Sequence, residues 1–131
     1  MRTRILFISG HPDDARRLSQ MLRALPLVVD YVGTLQQARV ALQQDDYDII
    51  LTEAALPDGR WLDALDLARA CPGKAEVIVT DPQADARLWA EALNLGAYDL
   101  LTQPFYEPEV RRILTNACSR SSWPAAAMAA V

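Results

Sequence analysis

Five short apolar runs, each followed by a stretch of helical periodicity, organise the chain. Ile5-Leu6-Phe7-Ile8 is the first run. Leu18, Met21, Leu22 and Leu25 then recur at helical spacing. Pro12 suits the first turn of that helix, and Asp13 and Asp14 place carboxylates at the positive end of its dipole. Leu27 to Val32 is the second strand, and Thr34 caps a helix whose apolar positions are Leu35, Ala38, Ala41 and Leu42. Tyr47 to Glu53 is the third strand, almost continuously apolar at its centre, as a strand covered on both faces should be. Pro57-Asp58-Gly59 supplies a turn before a helix with Trp61, Leu62, Leu65 and Leu67, which Pro72-Gly73 stops.

A fourth strand spans Glu76 to Thr80, and its helix runs from Ala84 to Leu95, where Gly96 ends it. Tyr98 to Thr102 and Glu107 to Ala117 complete the series. The strands are expected near residues 4–9, 27–32, 47–53, 76–80 and 98–102, with Ile5, Phe7, Ile49, Leu51, Val77, Val79, Leu93 and Leu101 in the core. Strands alternating with helices predict an α/β fold, a doubly wound five-stranded parallel sheet with five helices. Residues 1–118 make one domain. Residues 119–131, containing Ala, Ser and Pro without periodicity, are expected to be a frayed end or the start of a linker.

The bulk numbers narrow the function. With 131 residues the chain builds one core and no second. A net charge of −4 argues against a direct nucleic-acid surface, which needs clustered excess Lys and Arg. No apolar run approaches the roughly 20 residues of a membrane span. Met1-Arg2-Thr3-Arg4 leads into the first strand without a small-residue cleavage site, so a cytoplasmic protein is expected. In that reducing setting Cys71 and Cys118 read as free thiols. His11 is the single histidine, which excludes a His-rich metal site.

Two segments carry a family likeness. Tyr47-Asp48-Ile49-Ile50-Leu51-Thr52-Glu53 with Leu56-Pro57-Asp58-Gly59 resembles the third strand and following loop of bacterial response-regulator receiver domains. Gly96-Ala97-Tyr98-Asp99-Leu100-Leu101-Thr102-Gln103-Pro104-Phe105 is similar to their fifth-strand signature, GAxDYLxKPF. The resemblance covers about residues 4–117. It implies a phosphoryl-transfer site at the C-terminal ends of the strands. In such a site two acidic residues and a nucleophilic Asp hold Mg²⁺, while a Ser or Thr and a Lys contact the phosphoryl oxygens.

Carried over position by position, most of that set is missing. Ser9 and Gly10 stand at the acidic pair, Glu53 at the nucleophile, Gln103 at the lysine and Leu100 at the switch aromatic. Thr80 alone is retained. The chain is therefore expected to be a pseudo-receiver, with no catalytic residue, metal or cofactor. It would act in signal transduction or transcriptional regulation through contacts with a protein partner or an attached output domain. The alternatives are a conventional receiver that uses a displaced acid such as Asp58 or Asp13, and a small-molecule domain that uses the vacated pocket.

Single residues stay open to two readings. Glu53 is either a solvated strand-end carboxylate or a permanent negative charge where an acyl phosphate would form. The mimicry would be partial, because a phosphoryl group carries about −1.5 to −2. Gln103 is placed to hydrogen-bond Glu53, and Thr80 reads as an ordinary strand-end hydroxyl. The Gln103–Pro104 bond aligns with one usually cis in receivers and is expected to be cis here. Gly10-His11-Pro12-Asp13-Asp14 also resembles the opening motif of a zinc-dependent N-deacetylase family. That site needs a second histidine, so His11 is read as a loop residue near the pocket. Trp61 is expected to be partly core. Trp89 is either a core anchor or a contact residue on the face of the fourth helix, fifth strand and fifth helix, which in receivers carries dimer or partner contacts. Trp123 lies in the tail.

Overall fold

The computed structural model describes residues 3–71 and 75–118. Strands β1 (Thr3–Ile8), β2 (Leu27–Val32) and β3 (Ile49–Glu53) alternate with helices α1 (Pro12–Met21) and α2 (Leu35–Gln44). A two-residue pair, β4 (Ala55–Leu56) and β5 (Gly59–Arg60), precedes α3 (Trp61–Ala70). Then come β6 (Glu76–Asp81), α4 (Ala86–Leu95), β7 (Asp99–Thr102) and α5 (Glu107–Cys118). The main sheet has the order β2-β1-β3-β6-β7 with every pairing parallel, as the alternating pattern requires. The small β4–β5 ribbon is antiparallel and was not foreseen, because two residues a side fall below any periodicity.

Side chains alternate across the sheet and divide the core in two. Ile5, Phe7, Ile49, Leu51, Ile78 and Leu101 pack against α1 and α5. Leu6, Ile8, Ile50, Val77, Val79 and Leu100 pack against α2, α3 and α4, with Trp61 fully buried among them. Seven of the eight expected core positions are buried. Leu93 is the exception and is half-buried, since α4 turns Ala92 inward instead.

Helix ends follow local chemistry. The Thr34 side chain accepts from the Gln37 N–H at 3.1 Å. Asp85 accepts from Leu88 at 2.8 Å, so α4 starts two residues later than its apolar pattern suggests. Gly96 closes α4 at φ 111°, a left-handed conformation where a Cβ would also strike Arg69. Among the described residues no helix is long and apolar enough to cross a membrane. The Pro72-Gly73 stop, the tail 119–131 with Trp123, and the Cys118 side chain lie outside the described residues. Cys71 is a half-buried free thiol.

Candidate functional site

Parallel strands bring their C-terminal ends to one edge of the sheet, and the α1–α5 face there collects the positions that the resemblance marks. Ser9 continues the odd-numbered series of β1, Glu53 that of β3, and Gln103 that of β7, so all three extend from one face. Thr80 of β6 sits directly beside Glu53 in the register. The edge is therefore assembled as the sequence implied. Its contents differ.

Glu53 is not solvated. Its side chain is only 5% exposed, yet it is held by two donors. The Gly10 N–H donates to Oε1 at 2.9 Å. The His11 Nδ1 lies 3.1 Å from Oε1 and 3.0 Å from Oε2, bridging both oxygens. His11 is the N-cap residue of α1, and 70% of its side chain faces solvent. The hydrogen bond to Glu53, with the charges of Glu53 and Asp14, raises its pKa above 6.5 against a smaller opposing effect of burial. An imidazolium above a buried carboxylate is thus the favoured state at mildly acid pH.

The expected Gln103–Glu53 hydrogen bond does not form. Gln103 Nε2 is turned to Asp14 Oδ2 instead, at 3.5 Å, because His11 and Gly10 already occupy both Glu53 oxygens. Ser9 is buried and turned to its own loop, where its hydroxyl donates to the His11 carbonyl at 3.3 Å and accepts from the His11 N–H at 3.0 Å. Its carbonyl accepts from the Tyr31 hydroxyl at 2.7 Å. A Cβ on Gly10 would lie 3.3 Å from Pro57 Cγ. Thr80 is buried, and its Oγ1 has no hydrogen-bond partner. Leu100 belongs to the core on the opposite face of the sheet. The Gln103–Pro104 bond is cis.

The two acids named as alternatives have partners of their own. Both carboxylate oxygens of Asp58 bond the α2 N-terminus, to Leu35 N at 2.8 Å and Gln36 N at 3.1 Å. The Leu35 hydrogen bond leads in depressing its pKa. Asp13 is exposed and lies 3.6 Å from Arg16. Trp89 is 49% exposed, which settles it as a surface residue rather than a core anchor.

The model of the response regulator receiver domain matches residues 5–115. The chain belongs to that family. It is similar to the response regulator protein PilR of Pseudomonas aeruginosa, 26% identical over 88% of this chain and 26% of PilR. It is also similar to the probable transcriptional regulatory protein y4xI of Sinorhizobium fredii, 35% identical over 63% of this chain and 36% of that protein. The chain spans about a quarter to a third of these relatives' length. Among solved structures it is similar to the signal receiver domain of an HD domain-containing protein from Pseudomonas fluorescens, 25% identical with a TM-score of 0.82, covering 92% and 97% of the two chains. The receiver domain of a Pseudomonas aeruginosa sensor histidine kinase is 26% identical with a TM-score of 0.78, covering 91% and 99%. That domain holds a magnesium ion in its active site cleft.

Receiver chemistry implies Mg²⁺, and the residues here do not fit it. Mg²⁺ demands near-octahedral oxygen coordination. At the acidic-pair positions this domain offers a hydroxyl bonded into its own loop and a glycine whose N–H occupies Glu53. Among the described residues the donors left within 4.8 Å of one another are His11, Asp14 and Glu53, and one of these is nitrogen. From sequence Asp14 reads chiefly as a helix-start charge, with reach back to a cation as the lesser alternative; Tyr31 follows no receiver signature and was not assigned to the site.

Proposed function

We propose that this receiver domain signals without phosphorylation, through contacts with a protein partner or an output domain of a cytoplasmic response regulator. The observation that carries the reading is the state of Glu53. At the nucleophile position a longer carboxylate is buried, and both oxygens are engaged by Gly10 and His11. A phosphoryl donor would have to break those contacts in a pocket without the acidic pair or the lysine. Phosphoryl transfer depends on positioning and charge neutralisation, and losing several parts together removes more than any one would.

Glu53 thus supplies a built-in negative charge, balanced by its own imidazole. The relatives' names support a regulatory setting, since PilR is a response regulator protein and y4xI a probable transcriptional regulatory protein. In this reading the partner contact uses α4, β7 and α5, where Trp89 and Tyr106 are exposed. Exposed aromatic side chains suit a binding hot spot.

The test is intact mass after treatment with a small phosphodonor and Mg²⁺. No added phosphoryl group is expected on the wild type or on Glu53→Asp. A stoichiometric gain on the wild type would overturn the reading. A gain on Glu53→Asp alone would show that one carbon of side-chain length, and not the lost acidic pair and lysine, keeps the site inert.

A further inference from the structure

The mismatch with Mg²⁺ has a positive side, because the donors that replaced the acidic pair form a set of their own. We propose that His11, Asp14 and Glu53 bind a divalent transition-metal ion of the zinc type in preference to Mg²⁺.

The geometry begins with Glu53 and His11. Bonds from such an ion to imidazole nitrogen or carboxylate oxygen are about 2.0–2.2 Å. Two neighbouring donors on one ion are then roughly 3.0–3.5 Å apart by simple trigonometry on those bonds. His11 Nδ1 and Glu53 Oε2 already stand 3.0 Å apart. One donor atom of Asp14 lies within 4.8 Å of a donor atom of each of the other two. His11 and Asp14 are the N-cap and third residue of α1, and Glu53 ends β3, so two rigid elements supply all three.

Charge and ligand type point the same way. Two carboxylates offer two negative charges. The α1 N-terminus opposes a cation with only about half a positive charge. Among the described residues no Arg or Lys pairs with Glu53 or Asp14. Imidazole suits zinc, copper, iron and nickel, whereas Mg²⁺ is served by oxygen. Outer contacts already orient the ligands. Gly10 N–H holds Glu53, and Gln103 holds Asp14. A lysine in place of Gln103 would instead repel the ion.

His11 is the chain's single imidazole, so one ring resonance reports its ligation without ambiguity. The experiment titrates the full chain with Zn²⁺ and with Mg²⁺, following the ¹⁵N-labelled imidazole by NMR and the affinity by chelator competition. Zn²⁺ is expected to shift the Nδ1 resonance and Mg²⁺ to leave it in place. His11→Ala and Asp14→Asn should each weaken Zn²⁺ binding by about tenfold or more. Both positions are solvent-accessible, and a single cooperative melting transition would confirm that each variant folds. Zn²⁺ binding that leaves the imidazole unshifted, or that survives His11→Ala, would place the ion on other donors and overturn the proposal. Equal affinity for Mg²⁺ would overturn the preference. Phosphodonor experiments contain no Zn²⁺, so either proposal can fail while the other stands.

Discussion

Removing the Glu53 carboxylate is the sharpest test of how this pocket is held. Glu53→Ala takes the acceptor from the Gly10 N–H and the counterion from His11. The first is a hydrogen bond to an ionised group, worth about 1.5–3 kcal/mol. The second joins a carboxylate to an imidazole that is 70% exposed, so it adds only about 0–1 kcal/mol. Against these stands the relief of desolvating a charge that is 5% exposed, which offsets part of the loss. The net expectation is a destabilisation of about 1–3 kcal/mol, a fall in Tm of about 4 °C for each kcal/mol. Glu53→Gln keeps one oxygen for Gly10 and should lose about half as much. Urea denaturation of wild type, both variants, His11→Ala and the His11–Glu53 double variant gives the values and the coupling. If Glu53→Ala equals or exceeds wild-type stability, burial of the charge outweighs its hydrogen bonds. The carboxylate would then be a strained group retained for signalling, and the account above would be wrong.

Other expectations follow from single contacts. Because the folded-state pKa of His11 is raised, its contribution is full below 6.5 and is lost as pH rises through the folded value. Denaturation midpoints should therefore fall as the pH is raised from below 6.5 through the higher folded value in the wild type and stay flat in His11→Ala. Asp58 has a depressed pKa, so its support of α2 is present above the ordinary carboxylate value of 3.8 and is lost as pH falls through the folded value. Asp58→Asn should blunt acid unfolding in that range, as read by circular dichroism. Trp61→Ala should cost about 3–5 kcal/mol in a denaturation curve, because the indole is fully buried. Trp89→Ala should change stability by about 0.5 kcal/mol or less while weakening any partner complex measured by sedimentation.

The fold was legible because periodicity and turn chemistry agreed along the chain. Thr34, Pro12 and Gly96 act at helix ends as their residue types dictate. Register in a parallel sheet then carried Ser9, Glu53, Thr80 and Gln103 to one edge without further information. What pattern could not reach was which donor meets which acceptor. Gln103 and His11 both read as neighbours of Glu53, and which of them bonds it rests on the backbone path from Ser9 to His11, which periodicity does not describe. Asp58 shows the same limit from the other side, since its type suggested turn chemistry but not the helix that it caps. Leu93 failed for a simpler reason: adjacent apolar residues on α4 leave its rotation undecided by one position.

The space beside Gly10 bears on what position 10 can hold. Any side chain added at Gly10 begins 3.3 Å from the Pro57 ring. The next residue, Asp58, is tied to the α2 N-terminus by two hydrogen bonds, which restrains the loop on that side. A side chain placed at position 10 therefore has to be matched by a small shift of Pro57, so the pocket's tolerance for an acid there is set partly by the packing of its neighbouring loop.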